Sequence, residues 1–304
     1  MKDFKISNKN KKLIFALVIL ILPIIHVCVF YIGVNFKQIL IAFSEYNIVS
    51  NVYSFNGLEN FKEVFRKMTE EVALRSSLKN STIVFLTIGG LGNFLSLVLS
   101  VYIYKKRFLH GFFKIALFLP HVISIVVLVV IFRFICNDAV PYVANELFGI
   151  SMEGLLYTDK AFNVILFFAL FTTLGTSVLM YSSAMSGISE SIIEAAEIDG
   201  FNYIQEFWFI IIPMIFPTIK TFIVIAFAAY FTNQMHLFTF YGNRPDNPSY
   251  YTYGYYLYSK VVIANGNETT YPILSAMGIL FTVIIVPITF TIKRIMDKYG
   301  PSVD

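Results

Sequence analysis

The residues of this chain whose types could do chemistry are four histidines, two cysteines and a thin scatter of carboxylates. Their spacing excludes most of it. His26, His110, His121 and His236 fall in no metal-ligand pattern and no His-Glu-x-x-His. Cys28 and Cys136 each lie in or at the end of an apolar run, which suits packing rather than a disulfide framework or a metal site. No Gly-x-x-x-x-Gly-Lys-Ser/Thr occurs, so no loop of this chain cradles ATP phosphates, and any energy it uses must be borrowed. Nothing singles out a pair of acids for catalysis. What remains is recognition, carried by two stretches: Glu194-Ala195-Ala196-Glu197-Ile198-Asp199-Gly200, and the polar cluster Tyr230, Thr232, Asn233 and Gln234 inside an apolar run.

The first stretch needs a short helix to hold it. Ser191 and Glu194 have the spacing of a capping box, which predicts a start at Ile192, and Gly200 can take the left-handed conformation that ends it. Asn202 with Gln205 predicts a second cap and a second helix carrying Phe207, Trp208 and Ile211. On the first helix Ile192, Ala195 and Ala196 share one face, while Glu190, Glu194 and Glu197 gather on another. Like charges so spaced repel by about 0.2–0.5 kcal/mol per pair, which favours a docked partner. A solvated surface helix with nothing on it stays open, because surface helices are amphipathic anyway.

The elements around these stretches are membrane spans. Of 304 residues, 57% are hydrophobic and 14% charged, far from the composition of a soluble domain. The net charge of +4 sits mostly in clusters flanking apolar runs and speaks of membrane orientation rather than nucleic acid. The expected architecture is an all-α polytopic membrane protein with six transmembrane helices. Residues 1–12 form a cytoplasmic tail, 13–34 the first span and 35–79 an extracytoplasmic segment of short helices. Residues 80–292 form a core with five further spans and the loop 189–213, and 293–304 a second cytoplasmic tail. The spans of the core are read at about 82–104, 115–135, 161–181, from after Pro213 and Pro217 to about 241, and 271–292. Lysines before residue 13, the basic loop Lys105-Lys106-Arg107 with Lys114, and Lys293, Arg294 and Lys298 all favour the cytoplasmic side. Lys62, Arg66, Lys67 and Arg75 oppose that bias in the outer segment.

Within the spans, Gly89, Gly90, Gly92 and Asn93 suit close helix contact or an unwound stretch beside a cavity. Arg133 and Lys220 lie near span ends and can snorkel, and His121 suits packing. Tyr230, Thr232, Asn233 and Gln234 at mid-span are costly unless satisfied, either by interhelical hydrogen bonds or in a water-filled cavity.

The run Glu194-Ala195-Ala196, then Gly200, nine residues, Ile210 and Ile212-Pro213 resembles the EAA loop of binding-protein-dependent ABC importer permeases. The spacing is kept throughout; Phe201 stands where the sugar branch usually has Ala, and Ile212 where Leu is usual. Gly57-Leu58-Glu59-Asn60-Phe61, Leu119-Pro120 followed by Ser124, and residues 183–189, which lack the family's proline, extend the likeness over essentially the whole chain. It is closest to the sugar branch, maltose-type and first-permease-like.

The resemblance implies a permease subunit of an ATP-driven importer for a carbohydrate, with Glu194, Ala195, Ala196, Asp199 and Gly200 docking on an ATPase. It implies no cofactor on this chain, ATP being bound by the partner ATPase. Its partners would be a second permease subunit, two ATPase subunits, an extracytoplasmic solute-binding protein and membrane lipid, with no nucleic acid. Both termini would be cytoplasmic in a bacterial cell membrane. Matching through Pro245-Asp246 places Tyr230 and Asn233 on sugar-contacting positions, and matching through Leu174-Gly175 adds Phe171, Leu174 and Gly175. From the residues alone two other classes stay open, an ion-gradient-driven secondary transporter of a small polar solute and a structural membrane protein. The first would need carboxylates inside the spans, and none is there.

Overall fold

Long uncharged runs of Leu, Ile, Val and Phe fix the architecture, because in hydrocarbon only a helix satisfies every backbone group within its own segment. The computed structural model describes residues 8–242, 248–264 and 266–301. The Pro245-Asp246 match falls outside these. The chain divides into two units, residues 1–66 with 264–280, and residues 67–263 with 281–304.

In the first unit, α1 (Phe15–Ala42) is 28 residues long and continues well past residue 34. It leads into a feature the expectation of short helices did not include, an antiparallel hairpin of β1 (Ser44–Asn47) and β2 (Val52–Phe55). Asn47 Oδ1 accepts the Val49 and Ser50 amides at 2.9 and 3.2 Å, and Asn51 takes a left-handed φ of 52°, which together turn the chain. Next comes α2 (Glu59–Glu70). Its Asn60 Nδ2 donates to the carbonyls of Ala42 at 2.9 Å and Ser44 at 2.7 Å, so this asparagine ties the end of α1 to the hairpin. Tyr53 donates to the Glu268 carboxylate, and burial, reinforced by that acid, holds its phenol well above the usual range.

The second unit holds α3 (Val72–Tyr104), α4 (His110–Val122), α5 (Ile125–Phe148) and α6 (Ala161–Met185). The short α7 (Glu190–Ile198) follows, then α8 (Tyr203–Met214), α9 (Phe216–Ala228), α10 (Leu237–Tyr241) and α11 (Tyr253–Ala264). The last helix, α12 (Tyr271–Tyr299), runs through both units. Among the described residues five helices are long and apolar enough to cross a membrane, and six are counted when the pair α8–α9, bent by 73°, is taken as one span.

Two spans expected to be continuous are broken. The third parts at Ile123 and Ser124, which take extended ψ angles of 143° and 130°, just after Pro120 has removed one backbone donor from α4. The fifth bends at Ile215 between Pro213 and Pro217, and α9 stops at Ala228, well short of residue 241. The mid-span polar cluster lies in the irregular residues 229–236, where Met235 and His236 have φ of 53° and 57°. Its side chains satisfy the freed backbone: Asn233 Oδ1 accepts the Met235 amide at 2.9 Å.

Candidate functional site

The loop after α6 is a pair of helices locked by caps. Ser189 occupies the position of the missing proline and is the N-cap of α7, so the helix starts at Glu190. The Ser191–Glu194 box does not form; Ser191 Oγ lies 2.8 Å from Ser189 Oγ instead. At the other end Gly200, with φ of 81°, closes a Schellman motif: the Phe201 amide donates to Ala196 O at 3.0 Å and the Gly200 amide to Glu197 O at 3.1 Å. The second cap forms as expected. Asn202 Oδ1 accepts the Ile204 and Gln205 amides at 3.0 and 2.9 Å, and the Asn202 amide donates to Gln205 Oε1 at 2.9 Å.

The expected apolar face of α7 is redrawn. Ala196 is buried, and Ile193 packs on the cluster of Leu97, Tyr181, Met185, Ile188, Ile211, Ile215 and Ile219. Ala195 and Ile192 are exposed with Glu194, Asp199 and Gly200, and Ile198 is 86% exposed. The helix thus sits on its own membrane domain through Ile193 and Ala196 and presents the rest outward.

The same end of the unit carries contacts that the sequence reading missed. Lys105, just past α3, pairs with Glu206 at 2.5 Å, and the Arg107 guanidinium lies 4.6 Å from the Tyr203 ring centroid. Lys220, expected to snorkel, pairs with Asp297 of α12 at 2.5 Å.

A second site is a cavity of about 560 Å³ among α3, α4, α6, α9 and the unwound stretch. Leu174, Tyr230 and Asn233 line it. Phe171 and Gly175 do not: Phe171 is 40% exposed on α6, and Gly175 is buried where α6 crosses α4. Gly89, Gly92 and Asn93 line it as well, and the same glycines give close contact, since a Cβ would lie 3.0 Å from Ala226 Cβ and Leu170 Cδ1 respectively.

The cavity's polar groups are uncharged amides, hydroxyls and two imidazoles, of Asn93, Ser96, Thr173, Thr176, His121 and His236 among others. No Lys, Arg, Asp or Glu lines it among the described residues. Ser96 Oγ and Thr176 Oγ1 are shielded and have no hydrogen-bond partner among the described residues. The Tyr230 hydroxyl lies 2.6 Å from Thr82 Oγ1, and its ring sits 5.1 Å from that of Phe85. A signal for the missed hydroxyls exists in the sequence. Asn93 and Ser96 are three apart, and Thr172, Thr173, Thr176 and Ser177 recur at three-and-four spacing, so each set forms a polar stripe on one helix.

A family model described as "Binding-protein-dependent transport system inner membrane component" matches residues 80–304. The multiple sugar-binding transport system permease protein of Streptococcus mutans is 27% identical over 75% of this chain and 78% of its own length. The arabinooligosaccharides transport system permease protein of Halalkalibacterium halodurans is 24% identical over 58% of this chain, a match that spans 56% of that relative's length. In fold, the chain is similar to a chain of a bacterial ABC transporter involved in the import of the acidic polysaccharide alginate, with a TM-score of 0.74 and 18% identity over 96% of this chain and 98% of the other.

Proposed function

The chain belongs to the family of inner membrane components of binding-protein-dependent transport systems, and from that premise we propose that it is the membrane-spanning subunit of an ATP-driven importer for an uncharged carbohydrate. The observation that carries the substrate class is the cavity. Its hydroxyls and amides can exchange hydrogen bonds with sugar hydroxyls, and the Phe85 and Tyr230 rings offer faces for the sugar ring. An anionic solute would be stripped of water there with no Lys or Arg among the described residues to meet it. The sugar permeases among its relatives agree with this reading.

The chain works with partners in this reading. Glu194, Ala195, Ala196, Asp199 and Gly200 form the surface that seats in a cleft of an ATPase subunit, which holds the ATP. A second permease completes the pathway, and an extracytoplasmic binding protein delivers solute. Both termini and α7 lie in the cytoplasm. Closure of the ATPase pair pulls α7 and switches the cavity from inward to outward access. Leu174, Tyr230 and Asn233 contact the sugar, while Phe171 and Gly175 support the wall from behind. An ion-gradient mechanism has no carboxylate at the cavity to work with among the described residues.

The test is a pull-down from detergent-solubilised native membranes, followed by reconstitution and uptake. Recovery of a second permease and an ATPase, with uptake that neutral oligosaccharides inhibit and uronic-acid oligosaccharides do not, is the expected result. Recovery of the chain alone, without ATPase activity in a preparation that keeps such complexes intact, overturns it.

A further inference from the structure

The ion pair between Lys105 and Glu206 is more deeply placed than a loop contact requires. The Glu206 side chain is 5% exposed and that of Lys105 17%, and Glu206 Oε1 has Lys105 Nζ at 2.5 Å as its partner and no other among the described residues. For a carboxylate so shielded the cation is the compensating charge, and loss of either charge strands the other. The two residues belong to different elements. Glu206 ends the capped turn of α8, and the Schellman motif at Gly200 and the Asn202–Gln205 box fasten that turn to α7. Lys105 closes α3, the helix that carries Ser96, Asn93, Gly92 and Gly89 to the cavity.

The apolar cluster that also joins the two elements, Leu97 with Tyr181, Ile211 and Ile215, can slide by small steps, because dispersion contacts are not directional. An ion pair between shielded groups cannot. Beside it the Arg107 guanidinium over Tyr203 adds a second polar hold on the same turn.

We infer that Lys105–Glu206 is the strut that carries displacement of the α7–α8 loop into α3 and so to the cavity. Both are positioning residues, touching neither solute nor nucleotide. The inference rests on the importer reading above and names how its two sites are coupled.

The test uses the transporter complex purified with its ATPase and placed in lipid nanodiscs. Cys28 and Cys136 are replaced by Ser, and Thr173→Cys on the cavity wall is labelled by a charged methanethiosulfonate reagent with and without ATP plus vanadate. With the native pair, the nucleotide changes the labelling rate about tenfold, within the usual range of allosteric coupling. In Glu206→Gln the change falls below about twofold while ATP hydrolysis persists, and the exchange Lys105→Glu with Glu206→Lys restores most of it. Glu206→Gln with the full nucleotide response overturns the strut. If Glu206→Gln does not assemble, the exchange variant decides: assembled and responsive supports the strut, whereas unassembled or unresponsive assigns the pair to folding alone. Absence of an ATPase from the native complex is a different result, which overturns the importer reading and the strut with it.

Discussion

Gly175 and Leu117 meet so closely that a Cβ on Gly175 would lie 2.3 Å from the Leu117 carbonyl oxygen. The contact sits where α6 crosses α4, and in a bilayer such crossings are made by small residues that let backbones approach, since lipid gives helices no hydrophobic reason to associate. Backbone cannot rotate aside as a side chain can. Gly175→Ala therefore forces the two helices apart and should destabilise the protein by about 1–3 kcal/mol or more. Thermal unfolding of the detergent-purified protein checks it, with Gly90→Ala as control, because a Cβ on Gly90 meets nothing within 4 Å. Equal melting temperatures for the two variants would refute the packing argument.

Asn60 bridges the end of α1 and the start of β1 through two carbonyls, beside the Ser44 hydroxyl, which donates to Leu40 O at 2.8 Å. Asn60→Ala removes both bonds in a partly buried place, at a cost of about 1 kcal/mol for each. Amides of the hairpin should then exchange with deuterium roughly thirtyfold faster, while those of α6 keep their rate. Unchanged exchange in the hairpin would show that its own ladder suffices.

Tyr230 separates ring from hydroxyl as a test of the cavity. Tyr230→Phe keeps the aromatic contacts with Phe85 and Phe231 and deletes the hydroxyl that lies 2.6 Å from Thr82. If that hydroxyl also meets the sugar, KM for uptake should rise about fivefold with little change in maximal rate, the signature of a lost binding hydrogen bond. Tyr230→Ala, which removes the ring as well, should cost more. A KM that does not move in Tyr230→Phe would leave the hydroxyl as an interhelical tie alone.

How much of this was legible before the structure varies with the range of the physics involved. The Asn202–Gln205 box and the Gly200 turn are local, set by residues three or four apart, and they could be read directly. Ser191 and Glu194 have the same spacing and form no box, because Ser189 starts the helix two residues earlier, in an extended conformation that depends on how α6 ends. Tyr230 and Asn233 stood out as polar groups at an apolar depth, but the unwound backbone at residues 229–236 that accommodates them depends on the packing around it rather than on residues three or four apart. The pairing of Lys105 with Glu206 was not readable at all. It joins residues a hundred positions apart, and each alone looks like an ordinary charge near a span end.

Gly200 gives the sharpest test of the loop, since nothing lies within 4 Å of a Cβ built on it and the only obstacle is its φ of 81°. An L-residue with a branched Cβ strains at that angle by about 1–3 kcal/mol, whereas Asn tolerates it. Gly200→Val should break the Schellman closure, release Phe201 from Ala196 and tilt α7 against α8, with no packing lost elsewhere. Insertion and yield should stay near native, and ATP-driven uptake should fall steeply. Gly200→Asn, which keeps the left-handed turn, should retain most of the uptake, so that a series of Asn, Ala and Val ranks function by backbone strain alone. Normal uptake by Gly200→Val would mean that the rigid turn between the two helices is not what transmits force through this loop.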